Sequence, residues 1–428
     1  MKSFYASCEL VSRGLNPLRD LLVVMSTTDN TSGLILASSP MAKKVLGLKN
    51  VARKWDIPSE KENPAVKDLI IVPPRMRYYI MQNLKIQKVI RNYAPDKDIM
   101  WYSIDEGMVD LTRSLNYFVP GEMNRSKKLD IVSEMIQKDI LRETGIFSTI
   151  GMSNSNPLLS KLALDNEAKK TPTMRALWNY EDVEKKLWNI PSINDFWGIG
   201  SRMKHNLHTM GIDSIRNLAN TSPALLHKKF GVIGLQLYHH ANGIDRTKLQ
   251  NRYIPKSKNV GNSQILPRDY TGEEIPLLIR EMAEQVAIRL RRRHAKTSTV
   301  HLFIGYSRTE SRGTFHRQLK IELTDSTNIL AENLLFLFHK FYTSGLIRQI
   351  GVTYSNLVYT NELQLNLFED PEHQLKREKI DKIMDKIREK YGFVSLVRAS
   401  SKLENGRSIQ RAGLVGGHAG GAGGLDGL

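Results

Sequence analysis

The sequence predicts a protein of several domains that belong to the α/β and α+β classes. Its 428 residues are enough for two to four domains of ordinary size. Up to about residue 186, apolar strand-like runs alternate with amphipathic helical patterns, which is typical of an α/β layer. Residues 263–358 instead read strand, helix, strand, strand, helix, strand. That order indicates a ferredoxin-like domain.

The first strands and the first well-marked helix have clear boundary signals. Residues 21–25 are continuously apolar, and residues 34–37 are apolar again after a polar turn, so the two runs are predicted to form a hairpin. Ser39 followed by Pro40 is the favoured start of a helix, because serine caps the free N–H groups and proline suits the first helical position. This helix should contain Lys43.

Helices and strands continue to alternate as far as residue 186. The predicted elements are, in order, a helix at 74–93, a strand pair within 99–111, a helix at 125–143, a strand at 145–151 and a helix that contains Lys161.

Residues 187–250 have a different character. Short helical patterns are broken there by glycines, namely Gly198, Gly200, Gly211, Gly231 and Gly243. Residues 251–262 are polar and basic and are predicted to be a linker. After the ferredoxin-like region, a helix is expected at 372–391, and the glycine-rich end from residue 416 to 428 is expected to be disordered.

Composition narrows the classes of function. The formal net charge is +18 and the isoelectric point is about 9.7, which favours a polyanionic partner, nucleic acid first and an acidic membrane surface second. The single cysteine, Cys8, excludes a disulfide framework and a thiolate zinc site, and it suits a reducing cytoplasm. No apolar run reaches the roughly 18 residues of a membrane span. The first residues also lack the apolar core of a signal peptide.

Two adjacent acidic residues, Asp105 and Glu106, interrupt an apolar run that is expected to form a strand, a turn and a second strand. Neighbouring carboxylates repel each other, and a divalent cation such as Mg²⁺ relieves that repulsion. Paired carboxylates of this kind can hold two metal ions around an in-line phosphoryl displacement. The alternative is a simple acidic turn at the end of a hairpin. No arrangement of His, Ser or Cys suggests nucleophilic catalysis.

Gly198 and Gly200 lie in a tight turn that is followed by a helical run with Lys204. The backbone N–H groups of such a turn can hold a DNA phosphate without reading sequence. An ordinary turn between two helices is the alternative. The basic character of the chain favours the phosphate-binding interpretation.

Arg289, Arg291, Arg292 and Arg293 end the first helix of the ferredoxin-like region. A basic last turn also suits the helix dipole, but four arginines in five residues exceed what capping needs. We therefore predict a surface that follows the backbone of a DNA duplex.

Three further features have both a functional and a plain structural interpretation. Residues 364–368 could be an extended peptide that enters an apolar groove of a partner, or an anchor for the tail, and physical reasoning leaves both open. Lys43 and Lys161 could contact a triphosphate, or could be solvated surface residues. Phe4 and Tyr5 could line a nucleotide site or belong to the core.

Three runs of sequence together resemble the Y-family (DinB/UmuC-type) of translesion DNA polymerases. They are the N-terminal run 1–9 (MKSFYASCE), Ser103-Ile104-Asp105-Glu106, and Trp197-Gly198-Ile199-Gly200. The resemblance is closest to the UmuC-like branch of Gram-positive bacteria, their phages and plasmids. It covers essentially the whole chain, with the motifs in order and at the expected spacing.

The resemblance implies a right-hand polymerase with palm, fingers and helical thumb, and with an additional little-finger domain. It places the palm at 1–20 and 75–186, the fingers at 21–74, the thumb with its helix-hairpin-helix at 187–250, the linker at 251–262, the little finger at 263–358, and a tail at 359–428. The implied activity is template-directed DNA synthesis past damaged bases in an SOS-type DNA repair response.

The resemblance also implies the roles of individual residues. Asp105 and Glu106 would be the catalytic ligands of two Mg²⁺ ions. Tyr5, next to Phe4, would be the steric gate against ribonucleotides. Lys43 and Lys161 would contact the triphosphate of a dNTP, although Pro40 stands where many members have a tyrosine. The partners implied are primer–template DNA and a bacterial sliding clamp, which would bind the motif residues Gln364, Leu365, Leu367 and Phe368.

One departure concerns the start of the chain. The family has an essential Asp immediately before the position of Met1, and a supporting strand upstream of it. Lys2 cannot replace that Asp, because its cation would repel Mg²⁺. We expect the sequence to be a shortened version of a longer protein, begun at an internal Met, since everything downstream matches. The alternative is a non-catalytic Y-family protein that binds DNA and the clamp. A nuclease is disfavoured because no candidate base lies near.

Overall fold

The computed structural model describes residues 1–26, 33–48, 51–251, 254–255, 258–360, 362, 370–415 and 417–419. The chain divides into two compact units. The first unit comprises Met1–Pro74 and Tyr78–Arg252, and the second comprises Tyr253–Leu428 with Arg75–Arg77. In the described part of the chain, no helix combines the length and the apolar character needed to cross a membrane.

A three-stranded sheet lies near the start of the first unit. Its strands are β1 (Leu22–Met25), β2 (Ile35–Ser38) and β3 (Ile70–Val72), in the order β2-β1-β3. Strand β2 runs antiparallel to β1, which confirms the predicted hairpin, and β3 runs parallel to β1. Helix α1 (Phe4–Val11) precedes the sheet, and α2 (Pro40–Leu46) follows β2.

Helix α2 begins and ends as its sequence predicts. The Ser39 side chain accepts a hydrogen bond from the backbone N–H of Ala42, and Pro40 occupies the first turn. The helix ends at Gly47, whose φ of 65° lies in the left-handed region that glycine adopts at least cost.

The next elements of the first unit alternate helices with two small sheets. They are α3 (Met76–Ile90), β4 (Ile99–Trp101), β5 (Gly107–Val109), α4 (Leu115–Phe118), α5 (Arg125–Thr144), β6 (Ile150–Met152), α6 (Pro157–Ala163) and β7 (Arg175–Leu177). Strands β4 and β5 form an antiparallel hairpin, whereas β6 and β7 are a parallel pair.

The strand predicted at 145–151 is shorter than expected. Gly145 caps α5 with a φ of 68°, and its N–H donates to the carbonyl of Leu141 at 2.8 Å. This cap belongs to the end of the helix, so the chain reaches extended pairing only at Ile150. The prediction was therefore wrong for residues 145–149.

Four short helices complete the first unit: α7 (Ser201–His208), α8 (Ile215–Asn220), α9 (Pro223–Phe230) and α10 (Val232–Ala241). They enclose a core to which Phe196, Leu207, Leu218, Leu226 and Leu237 contribute. The short helical segments separated by glycine are as predicted.

The second unit contains a four-stranded antiparallel sheet with two long helices. Its elements follow in the order β8 (Val260–Tyr270), α11 (Ile275–Arg291), β9 (Ala295–Tyr306), β10 (Phe315–Thr324), α12 (Thr327–Phe341) and β11 (Ile347–Tyr359). The strand order is β10-β9-β11-β8. Each helix therefore connects two parallel strands that have an antiparallel strand between them, which confirms the predicted split β-α-β pattern. Strand β8 begins at Val260, so the last three residues of the predicted linker are strand.

The last described residues fold back on α11. Helix α13 (Pro371–Tyr391) matches the predicted helix, and α14 (Ser408–Arg411) follows it. Strands β12 (Leu414–Val415) and β13 (His418–Ala419) pair with each other, so the prediction of disorder was wrong at β13. The rest of the glycine-rich end, residues 416 and 420–428, lies outside the described residues.

Candidate active site

The turn between β4 and β5 presents the two adjacent acidic residues. Across the turn, the backbone N–H of Ser103 donates to the carbonyl of Glu106 at 3.2 Å. The Ser103 hydroxyl donates to the Asp105 carboxylate at 2.9 Å. From α3, the Asn83 amide donates to the carbonyl of Ile104 at 2.7 Å. The predicted strand–turn–strand is confirmed, and the turn is held both from within and from α3.

Glu106 is the centre of a network of charged and polar side chains. One carboxylate oxygen, Oε2, accepts hydrogen bonds from the Tyr102 hydroxyl at 2.5 Å and from the Lys161 ammonium at 2.8 Å. Lys161 also contacts Asp165 Oδ2 at 3.1 Å, and Lys169 contacts the same carboxylate at 2.7 Å. The network therefore joins the acidic turn to α6 and to the helical turns that follow it.

These contacts change the pKa values of the groups involved. Burial alone would raise the pKa of Glu106, but hydrogen bonds from Lys161 and Tyr102 outweigh it and lower that pKa. Burial alone would lower the pKa of Lys161, yet its hydrogen bond to Glu106 and the charge of Asp165 raise the pKa above the ordinary value. The glutamate is therefore held as a carboxylate and the lysine as an ammonium ion.

Close packing of β6 on α6 sets the position of Lys161. A Cβ at Gly151 would come within 1.9 Å of the backbone oxygen of Ser160, so only glycine permits this approach. The side chain of Lys161 is 7% exposed, although a lysine on a short helix would ordinarily be solvated. Tertiary packing therefore excludes the interpretation of Lys161 as a solvated surface residue, and the triphosphate contact stays a prediction.

The first residue of the chain also lies at the turn. The amino group of Met1 donates to the backbone oxygen of Asp105 at 2.7 Å. Burial lowers the pKa of this amino group, and the charges of Asp105 and Glu106 oppose that shift. Met1 therefore lies beside both acidic residues.

Tyr5 lies beside the acidic turn and is stacked on Tyr79. The two ring centroids are 4.5 Å apart and the ring planes differ by 15°. Burial, and then the charge of Asp105, raise the pKa of Tyr5. Phe4 is 3% exposed and packs in the core. The proposal of Phe4 as a nucleotide contact is therefore corrected, because its ring is enclosed by the protein.

A second group of cations lies near this turn. Burial lowers the pKa of Lys43 on α2, and the nearby charge of Lys169 lowers it further. The ammonium of Lys2 donates to the backbone oxygen of Lys169 at 3.5 Å. Sequence reasoning missed Asp165 and Lys169. Their spacing of four and eight residues from Lys161, on a helical segment, is the signal that could have revealed them.

Known proteins match the chain along most of its length. Residues 1–165 match the impB/mucB/samB family, residues 257–367 match the C-terminal domain of that family, and residues 194–245 match the thumb domain of DNA polymerase iota. The putative UV-damage repair protein UvrX of Bacillus subtilis (strain 168) is 42% identical over 420 residues, which are 98% of this chain and 96% of that protein. The chain belongs to the Y-family of DNA polymerases.

Two further Y-family comparisons agree. DNA polymerase IV 2 of the same organism is 33% identical over 425 residues, which are 98% of this chain and 97% of that protein. Among solved structures, a Y-family DNA polymerase chimera of Dbh and Dpo4 aligns with a TM-score of 0.63 and 19% identity, covering 84% of this chain and 98% of its own. The resemblance of the sequence to the Y-family, and the fold it implied, are confirmed.

The acidic residues of this Y-family chain form a small donor set for a metal ion. Among the residues described, no three or more His, Cys, Asp and Glu side chains are grouped to hold a metal. Asp105 and Glu106 provide two neighbouring carboxylates at a turn. Mg²⁺ is usually bound through one or two carboxylates plus substrate phosphates, so this set fits Mg²⁺ that arrives with a nucleotide.

The glycine turn of the Y-family thumb has the expected geometry. Gly198 has a φ of 97°, in the left-handed region that glycine adopts most easily, and Gly200 is the N-cap residue of α7. Gly200 has no side chain to cap the first N–H groups of α7, and Lys204 is exposed on that helix. The turn can therefore present backbone N–H groups and a cation together.

The three arginines proposed to contact DNA differ in their surroundings. Arg291 is held by Asp385 at 2.6 Å and lies 3.4 Å from Asp381, with its side chain 9% exposed. This corrects the proposal for Arg291, since its guanidinium binds α13 inside the second unit. Arg292 is half-buried and Arg293 is exposed. The clamp-motif residues 364–368 lie outside the described residues.

Proposed function

We propose that this protein is a template-directed DNA polymerase that copies past damaged bases in DNA repair. The supporting observation is the arrangement around the β4–β5 turn. There, Asp105 and Glu106 lie beside a stacked Tyr5 and close to Lys161. A site with two carboxylates, a flat aromatic ring and a buried cation suits a nucleoside triphosphate with its divalent metal.

We propose the following roles in nucleotidyl transfer. Asp105 and Glu106 would hold Mg²⁺, up to two ions with substrate, which supply charge neutralisation at the reacting phosphate. Lys161 and Lys43 would neutralise the triphosphate, and Lys169 adds a third cation nearby. The ring of Tyr5 would lie where a ribose 2′-hydroxyl would project, and so would favour dNTPs.

We assign DNA binding to surfaces of both units. In the proposed thumb, residues 187–250, the turn at Gly198 and Gly200 and the exposed Lys204 would hold a backbone phosphate. In the proposed little finger, residues 263–358, Arg292 and Arg293 would follow the duplex backbone. The net charge of +18 supports binding to a polyanion.

The partner proposed beyond DNA is a bacterial sliding clamp. The support is sequence alone, namely the motif residues Gln364, Leu365, Leu367 and Phe368. We propose that the protein acts in the cytoplasm, where bacterial DNA is copied.

A second candidate function is a Y-family protein that binds primer–template DNA and the clamp without chemistry. One observation favours it: within the described residues the metal donor set consists of two carboxylates, and Glu106 already pairs with Lys161.

Primer extension by the full chain and by Glu106→Gln distinguishes the two functions. Polymerase function predicts extension with Mg²⁺ by this chain or by the same chain lengthened upstream to include an Asp, with loss of extension and unchanged DNA affinity when E106Q is introduced. The matched control is Glu122→Gln, the same change at an exposed residue. Equal activity in E106Q would remove Glu106 from the mechanism. Salt-dependent DNA binding without extension by either protein, with Mg²⁺ or Mn²⁺, would favour the second function.

A further inference from the structure

The ammonium group of Lys161 occupies the space between two carboxylates. It lies 2.8 Å from Glu106 Oε2 and 3.1 Å from Asp165 Oδ2. A lysine this deeply buried is stable only when paired, and it has two partners on different elements. Glu106 lies on the β4–β5 turn, whereas Asp165 lies one helical turn beyond Lys161, on the segment that continues α6.

The glutamate oxygen held by Lys161 belongs to the carboxylate proposed to bind a metal. Glu106 Oε2 accepts hydrogen bonds from both Lys161 and Tyr102. A divalent cation on this carboxylate would be placed close to a buried ammonium group, and like charges repel strongly at short range away from water. Metal binding to Glu106 is therefore disfavoured while Lys161 stays in contact with Oε2.

Asp165 is a second carboxylate with which the Lys161 ammonium group can pair. The contact between Lys161 and Asp165 already exists, so the lysine can leave Glu106 and stay paired. The phosphates of a nucleotide would add a further anionic partner. The more exposed Lys169 also contacts the Asp165 carboxylate, at 2.7 Å, and this keeps the second carboxylate in position.

We propose that Lys161 is an internal counter-ion that keeps divalent cations off Glu106 until a nucleotide draws the ammonium group away. Bound metal then raises the affinity for nucleotide, and bound nucleotide raises the affinity for metal, by more than the direct attraction between metal and phosphate provides. By thermodynamic linkage, the lysine must weaken metal binding in the free protein. This inference rests on the proposed metal-binding role of Glu106.

The test is Mn²⁺ binding to the full-length protein without nucleotide, measured by the loss of the electron paramagnetic resonance signal of free Mn²⁺. We expect Lys161→Met to bind Mn²⁺ about tenfold more tightly than the original chain, within the usual range of coupling between sites. Lys169→Met is the matched control, because it removes a nearby lysine that contacts Asp165 but not Glu106. That control should change Mn²⁺ affinity much less.

Two further variants test whether the gain in Mn²⁺ affinity comes from the loss of the Lys161 charge next to Glu106. In Lys161→Met combined with Glu106→Gln, the gain in affinity should disappear if Mn²⁺ binds at Glu106. Lys161→Gln, which retains a polar side chain, should give the same gain if Lys161→Met fails to fold, as judged by its unfolding curve. Equal Mn²⁺ affinity in the original chain and in a folded Lys161 variant would overturn the proposal.

The outcome separates this inference from the proposed function. Primer extension by the original chain, together with unchanged Mn²⁺ affinity in the Lys161 variants, would support the polymerase function and reject the proposed counter-ion role of Lys161. Tighter Mn²⁺ binding in Lys161→Met without primer extension by any variant would support the counter-ion in a protein that does no chemistry.

Discussion

The ring of Tyr5 lies flat against the ring of Tyr79, with centroids 4.5 Å apart and 15° between the planes. Tyr79 is fully buried, and its hydroxyl donates to the buried carboxylate of Glu9 at 2.8 Å. Glu9 in turn pairs with Arg13, which lies just beyond the end of α1. The side chain proposed to select the sugar is therefore supported by a ring that is itself held at its far end.

We expect Tyr79→Ala to weaken discrimination against ribonucleotides, because Tyr5 would lose the surface that holds its ring. The measurement is the ratio of dNTP to rNTP incorporation efficiency. Loss of a buried aromatic ring should also destabilise the protein by about 3–5 kcal/mol. Tyr79→Phe is the control, since it keeps the stack and removes only the hydrogen bond to Glu9. An unchanged ratio in Tyr79→Ala would mean that Tyr5 is positioned by other contacts.

Arg291 and Arg293 should respond differently to alanine substitution. Arg293 is exposed, so Arg293→Ala should weaken DNA binding at every sequence and reduce the slope of log affinity against log salt by about 0.9. Arg291→Ala should mainly destabilise the fold, because it leaves Asp381 and Asp385 without this partner. DNA binding titrated at several salt concentrations, alongside unfolding curves, checks both. Equal salt slopes in Arg293→Ala and the original chain would remove Arg293 from the DNA surface.

The stability of the second unit should depend on the ion pair between Glu284 and Arg388. Glu284 of α11 is 3% exposed and contacts Arg388 of α13 at 3.2 Å, and Arg388 is equally buried. We expect Glu284→Gln to cost about 3–5 kcal/mol of unfolding free energy, because it leaves a buried guanidinium without its charge partner. Denaturant unfolding measures this. Glu273→Gln, at an exposed position of the same unit, should cost little. A small effect at Glu284 would show that water reaches Arg388.

Stability of the first unit should fall in mild acid because of His240. Burial lowers the pKa of this histidine below its ordinary 6.5, although the charge of Asp245 opposes the shift. The unfolded chain therefore binds a proton more readily than the folded protein, so stability is retained above about pH 6.5 and lost as the pH falls. Unfolding between pH 7.5 and pH 5 should show this loss, and His240→Gln should reduce it. An equal loss of stability in His240→Gln and in the original chain would assign the pH dependence to other groups.

Local signals predicted much of the fold. Ser39 and Pro40 marked the start of α2, and an apolar run broken by two acids marked the β4–β5 hairpin. Such features depend on a few neighbouring residues, which is why one sequence suffices to find them. The strand at 145–151 was overextended because an apolar run after Gly145 resembles a strand, while the helix cap decided its true start.

The positions of charged side chains were harder to predict. Arg291 was expected at a surface, but two aspartates 90 and 94 residues further along the chain hold it inside the second unit. Asp165 and Lys169 were overlooked because single charged residues on a helix are ordinarily solvated. Only their contacts with Lys161 make them part of the site.

The sequence by itself determined the family, the order of the elements and the acidic turn at Asp105 and Glu106. Motifs and hydrophobic periodicity involve residues that are close together along the chain, so they can be recognised from the sequence. Tertiary structure alone decided that Lys161 pairs with Glu106, 55 residues away, and that Tyr5 stacks on Tyr79. Those contacts depend on how separate elements pack, and close packing such as that at Gly151 places a charge where no local pattern can.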